Sequence, residues 1–97
     1  MATYVILAKF TDQAVREIKD TVKRSEAVRQ AMSQAGGTIK EILWLQGQYD
    51  ILAITEVPDE TAATAFALST MKKGYIRSET MRAFTAAEMG KILEKVT

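Results

Sequence analysis

Residues 42–57, ILWLQGQYDILAITEV, hold a tight turn between two runs of apolar, β-branched and aromatic side chains. Gly47 can adopt the positive φ that a tight reversal requires, and the glutamine on either side of it suits a loop. The pattern predicts a β-hairpin with arms at residues 38–45 and 50–57. We expect the other elements to pack on this hairpin or to pair beside it.

A strand is also predicted on each side of the hairpin, at residues 3–10 and 75–84. The strand at residues 3–10 is apolar on both faces. One of these faces carries Tyr4, Ile6, Ala8 and Phe10, and the other carries Val5 and Leu7. The second arm of the hairpin is likewise apolar on both faces, whereas its first arm and the last strand carry several charged side chains. Strands with two apolar faces belong at the centre of a sheet.

The first arm of the hairpin is mixed in character. Strict alternation along the strand groups Ile39 and Leu43 with Glu41, and it groups Ile42 and Trp44 with Lys40. The charged member of each group is typical of an edge strand, where a polar side chain reaches water.

Helical spacing of apolar residues fills the connection before the hairpin, at residues 12–35. Thr11 or Asp12 can cap its start. An unbroken helix would be about 36 Å long, whereas a strand of eight residues spans about 27 Å, so we expect a break near residues 20–25. Ser25 is the expected N-cap of the second part.

Two further helices are predicted after the hairpin. One is capped by Asp59 and ends at Gly74, and the other begins at a capping box formed by Thr85 and Glu88. The element order is therefore β-α-β-β-α-β with an added C-terminal helix, which is the ferredoxin-like α+β arrangement. We expect one domain over residues 1–97, with the first and third strands central in an antiparallel sheet.

Composition excludes several classes of site. The chain has no His and no Cys, which removes the common catalytic triads, thiolate chemistry and zinc sites built on sulfur, so we expect no metal and no cofactor. A formal charge of +1 gives no long-range attraction for nucleic acid or for an anionic membrane. The short apolar runs and the start of the sequence show neither a membrane span nor a signal peptide. We expect a cytoplasmic protein without nucleic-acid or membrane partners.

The two apolar faces of the central strands also predict that the protein associates with a second copy of itself. Helices can cover one face of the sheet, yet the opposite face of the central strands would still be apolar. An exposed apolar patch of that kind marks an interface. We therefore expect a homodimer or higher oligomer whose sheets pack face to face, although the C-terminal helix is an alternative cover within one chain.

Several separated motifs resemble the GYD-domain family of small bacterial and archaeal proteins. They are the opening TYVILAKFTDQ, the following IKDTVKR, the turn GQYD after a Trp-bearing strand, and the closing RSETMRAFT. The turn reads Gly47-Gln48-Tyr49-Asp50, which matches the family's usual form GQYD. The resemblance covers nearly the whole chain, and it implies a dimeric α+β barrel architecture without an established activity.

A second likeness is to the ligand-binding domain of leucine-responsive transcription regulators. It is carried by the turn at residues 47–51 and by the polar pattern at residues 77–80. Domains of that kind bind amino acids or similar effectors between subunits. This chain has no DNA-binding helix-turn-helix, so the resemblance implies a sensing domain that stands alone.

These patterns nominate a ligand site at or near a subunit boundary. Its candidate residues are Gly47, Tyr49, Asp50, Trp44, Thr80 and Arg82. An arginine can pair bidentately with the carboxylate of an anionic or zwitterionic ligand. The structural alternative is that the turn residues only shape the turn, that Trp44 packs as an ordinary aromatic, and that the polar strand is a protected sheet edge.

We therefore expect an oligomeric domain that binds a small molecule in a sensing or accessory role. One alternative is a small α+β barrel enzyme, an isomerase or cofactor-free oxygenase, that uses Tyr49, Asp50 or Glu79 as acid or base. The other alternative is a purely structural assembly module.

Overall fold

A four-stranded antiparallel sheet with helices beside it forms the fold in the computed structural model, which describes residues 1–97. The strands are β1 (Ala2–Phe10), β2 (Thr38–Trp44), β3 (Ile51–Val57) and β4 (Ile76–Ala83). The helices are α1 (Asp12–Arg16), α2 (Thr21–Gln34), α3 (Glu60–Lys72) and α4 (Ala86–Leu93). The strand order β2-β3-β1-β4 confirms the ferredoxin-like arrangement with the first and third strands at the centre.

The core lies on one face of the sheet, which we call the helix face. Its sheet side chains include Tyr4, Ile6, Ile39, Ala53 and Val57, and its helix side chains are Met32 of α2 with Ala63 and Phe66 of α3. Met32 is fully buried and Val57 is almost so. The helix-face side chains of the two central strands thus fix α2 and α3 on the sheet.

The predicted alternation of β2 is wrong because the strand contains a bulge at Lys40. Ile39 pairs with Thr55 and Glu41 pairs with Ile54, so Lys40 has no partner in the register. A bulge reverses the alternation of all residues on one side of it. Ile39 therefore shares the helix face with Trp44, and Glu41 and Leu43 lie on the opposite face.

The helical connection breaks earlier than predicted. α1 is capped by Thr11 and ends at Arg16, a 3-10 turn covers Ile18–Asp20, and α2 starts at Thr21. Ser25 is not an N-cap, because it lies within α2 and its hydroxyl donates to the Val22 carbonyl over 2.6 Å. At the break, the Glu17 carbonyl accepts a hydrogen bond of 2.8 Å from the Arg24 guanidinium, a side chain of the next helix.

The other predicted signals for helix and turn boundaries are confirmed. Asp59 caps α3, and Thr85 with Glu88 forms a complete capping box on α4. Gly47 has a φ of 121°, the conformation that the central turn was expected to require.

The second face of the sheet, which we call the open face, is apolar at its centre. Two rows cross it, Leu43–Leu52–Leu7–Glu79 and Glu41–Ile54–Val5–Met81. Leu43 is 46% exposed and Met81 is 39% exposed. The four helices do not cover these side chains, because α2 and α3 pack on the opposite face.

α4 does not supply the missing cover. It makes sparse contacts with the rest of the chain, and its apolar side chains, including Leu93 at 59% exposure, remain in solvent. An ion pair of 3.3 Å joins Glu88 of α4 to Arg82 of β4. The alternative in which the C-terminal helix covers the sheet is therefore wrong for the chain by itself. None of the four helices combines the length and the apolar character needed to cross a bilayer.

Candidate functional site

Three polar side chains meet at one end of the open face, and we call them the turn cluster. The Tyr49 hydroxyl donates to the Glu79 carboxylate over 3.1 Å, and the Lys9 ammonium lies 5.4 Å from the centre of the Tyr49 ring. Glu79 stands opposite Leu7 in the register, so the cluster borders the apolar rows. It combines a phenol, a carboxylate and an ammonium group at the edge of an uncovered surface.

The environment of Tyr49 favours its protonated form. The hydrogen bond to Glu79, then partial burial and the negative charge of Glu79, raise the pKa of Tyr49 above its ordinary value of 10.0. The phenol is therefore a hydrogen-bond donor or a proton donor at neutral pH, and it is unsuited to act as a base there.

The neighbouring turn residues have structural roles. The Asp50 carboxylate accepts from the Phe10 N–H over 2.8 Å, and the Asp50 N–H donates to the Ala8 carbonyl over 2.9 Å. These bonds hold the turn against β1. Gly47 borders open space, since nothing lies within 4 Å of where its β-carbon would be.

The other predicted site residues lie elsewhere. Thr80 is on the helix face, where its hydroxyl is buried without a hydrogen-bond partner. Arg82 packs its guanidinium 4.5 Å from the Phe84 ring centre and pairs with Glu88. The Trp44 indole donates to the Thr21 hydroxyl over 2.9 Å at the start of α2. Within one chain, Tyr49, Thr80, Arg82 and Trp44 therefore do not form a single site.

A cavity of about 160 Å³, which sequence reasoning missed, lies on the helix face between the sheet and α2 and α3. Fourteen of its twenty lining residues are hydrophobic, including Ile6, Val28 and Phe66. It exists because small side chains, such as Ala8 and Ala53, occupy central positions of the sheet. Alanine at the centre of an otherwise bulky strand is the signal that could have predicted it. No group of three or more acidic side chains comes close enough to hold a metal ion.

Comparison with known proteins agrees with the motifs and the fold. No curated protein matches the sequence significantly. A crystal structure of FFRP-DM1, an FFRP protein of the leucine-responsive regulator family, superposes with a TM-score of 0.60 at 24% identity, covering 87% of this chain and all of that one. This confirms the second likeness at the level of the fold. The family model described as the GYD domain matches residues 4–93. With that match over nearly the whole sequence, and with the GQYD turn at the end of its central hairpin, the chain belongs to the GYD domain family.

Proposed function

We propose that this protein is a self-associating, small-molecule-binding domain with a sensing or accessory role. Two copies pair through their open faces, and the turn cluster of Tyr49, Glu79 and Lys9 lies at the boundary between them. The ligand binds at that boundary.

The observation that carries the proposal is the uncovered open face. Its centre is formed by six apolar side chains on four strands, Val5, Leu7, Leu43, Leu52, Ile54 and Met81. Glu41 lies at one edge of the sheet and Glu79 at the other, so each apolar row ends in a carboxylate on one side. That distribution is typical of the core and rim of a protein interface. A second copy of the same face would remove the apolar rows from water.

The chemistry of the turn cluster suits a small zwitterion or polar ligand. Lys9 can pair with a carboxylate, and Glu79 can pair with an ammonium group. The Tyr49 hydroxyl, whose one proton is donated to Glu79 in the single chain, can turn that proton to a ligand carboxylate or carbonyl when Glu79 pairs with the ligand. The resemblance to leucine-responsive regulators, whose domains bind effectors between subunits, supports the same placement. A boundary between copies would add the desolvation that strengthens such pairs.

Native mass spectrometry of the purified protein tests this function, with denaturing analysis of any small molecule released. We expect an even-numbered assembly that retains a ligand in stoichiometric amount. The Tyr49→Phe variant should keep the assembly and lose most of the ligand, because only a hydroxyl is removed from the cluster.

The matched control is Thr64→Val, which removes an exposed hydroxyl from the outer face of α3 and should retain the ligand. Equal ligand retention in the Tyr49→Phe variant would contradict the placement of the ligand. An assembly that never carries a small molecule would contradict the binding function and would favour a purely structural module.

A further inference from the structure

We propose that the helix-face cavity is a second binding site, and that it takes a small carboxylic acid with an apolar body of about six carbons, held at its carboxylate by Arg24. The cavity lies on the opposite side of the sheet from the open face, so this site is independent of self-association and of the turn cluster.

The size of the cavity sets the size of the apolar body. The space is partly open to solvent and has a volume of about 160 Å³ in a chain of 97 residues. A designed apolar cavity of about 150 Å³ accepts benzene. A six-membered ring or a branched chain of similar bulk therefore fits between α2, α3 and the sheet.

One buried hydroxyl in the cavity lacks a partner. The Thr21 hydroxyl accepts from Trp44, the Ser25 hydroxyl donates to Val22, and the Thr70 hydroxyl donates to Ala67 over 2.9 Å. The Ser78 hydroxyl is buried and makes no hydrogen bond within the protein. Buried polar groups nearly always have a partner. The Ser78 hydroxyl is thus a polar group that the protein leaves unpaired beside an otherwise apolar space.

The charged lining residues are both cationic. Arg24 and Lys73 line the cavity, and none of the lining residues is acidic. Lys73 forms no ion pair within the chain. A ligand with an ammonium group would find no carboxylate in the lining, which separates this site from one for amino acids. A carboxylate, in contrast, would find that the charged lining residues are cationic.

Contacts with Tyr75 and Glu17 hold the Arg24 guanidinium in a position where it can bind a carboxylate in the cavity. Its side chain is 22% exposed, and its guanidinium carbon lies 4.4 Å from the centre of the Tyr75 ring, which is also in the lining. One N–H donates to the Glu17 carbonyl, and the Glu17 carboxylate forms an ion pair with the guanidinium at 3.9 Å, a distance too long for a hydrogen bond. Since a guanidinium has five donors, several remain for a carboxylate. The contact with the Tyr75 ring restricts the movement of the guanidinium, a group that can pair bidentately with a carboxylate.

The test uses phenylacetate and its neutral isostere 2-phenylacetamide, titrated into the wild-type protein by calorimetry and by NMR of the Ala53 and Ser78 amides. We expect one phenylacetate per chain, bound about tenfold more tightly than the amide because a charged hydrogen bond is stronger than a neutral one. The Arg24→Gln variant should abolish most of that difference and keep the amide affinity. Ala53→Leu fills the cavity and should abolish the binding of both probes.

Leu68→Lys changes an exposed position of α3 outside the cavity lining and is the control, since phenylacetate affinity should be unchanged in it. Equal affinity for the two probes in the wild-type protein would overturn the assignment of the carboxylate to Arg24. Undiminished binding to a folded Ala53→Leu variant would place the probe elsewhere, and no saturable binding to the wild-type protein would overturn the site. If Ala53→Leu does not fold, the Arg24→Gln comparison and the shifts of the Ala53 and Ser78 amides still answer the question.

Discussion

Gly37 lies where the chain leaves α2 and passes β3 at close range. A β-carbon at this position would be 2.7 Å from the Glu56 carbonyl oxygen and 2.7 Å from the Met32 sulfur. The sulfur belongs to a flexible side chain, but the carbonyl is part of the β3 ladder and cannot move freely. The glycine is therefore required for close approach of backbone to backbone.

We predict that Gly37→Ala lowers the free energy of unfolding by about 1–3 kcal/mol, the usual cost of overpacking a core. Urea denaturation followed by circular dichroism measures it. Gly90→Ala is the matched control, because Gly90 is within α4 and nothing lies within 4 Å of its added β-carbon. Alanine favours a helix over glycine, so this variant should show no loss of stability. An equal loss in both variants would contradict the close-approach argument.

Residues that form a site by tertiary contact are the ones that the sequence could not reveal. Tyr49 and Glu79 are 30 positions apart and meet only because β4 pairs with β1. Glu79 is a better candidate site residue than Thr80 because it pairs with Leu7 and therefore lies on the open face. The sequence did not reveal which face is open. Arg24 carries no local signal, because its partners belong to the helix break and to the residue before β4.

For the helices and strands, the local sequence predicted where an element begins or ends better than it predicted on which face of the sheet a side chain lies. Asp59 and Thr85 act on neighbouring N–H groups, so their cap patterns could be recognised from short spacings. No Gly or Pro marks the bulge at Lys40 in the sequence. Because of this bulge, Ile39 lies on the face opposite to Glu41 and Leu43 and not on the same face as predicted. The break between α1 and α2 likewise involves a contact between two residues that are seven positions apart, Arg24 and Glu17.

The start of α4 is predicted to respond to acid. The Thr85 N–H donates to the Glu88 carboxylate over 2.9 Å, and this bond, followed by the contacts with Arg82, outweighs burial and lowers the pKa of Glu88 below its ordinary value of 4.5. Because the folded-state pKa is depressed, the stabilisation by ionised Glu88 is complete above the ordinary value. It is lost as pH falls through the folded-state pKa.

Amide hydrogen exchange across Ala86–Leu93, measured between about pH 6 and about pH 3 and corrected for intrinsic rates, checks this prediction. Protection should fall at the acid end in the wild-type protein. In the Glu88→Gln variant an uncharged amide still completes the capping box, so the loss of protection with falling pH should disappear. The same acid-dependent loss in that variant would assign the effect to another group.

At the scale of the whole molecule, the two faces of the sheet differ in what covers them. The helix face contains the core and a cavity, whereas the open face presents apolar rows that nothing in the chain covers. The sequence already indicated this imbalance, because the central strands are apolar on both sides. It could not indicate which face the helices occupy, since both faces carry enough apolar side chains to form a core.

Multi-angle light scattering of the wild-type protein at micromolar concentration, beside Leu52→Lys and Leu68→Lys, tests self-association most directly. Leu52 lies in the middle of the open face, and Leu68 is 61% exposed on α3. We predict a mass of twice 10.7 kDa or an even multiple for the wild-type protein and for Leu68→Lys, and a folded species of 10.7 kDa for Leu52→Lys. A wild-type mass of 10.7 kDa, or an unchanged assembly in Leu52→Lys, would contradict pairing through the open face.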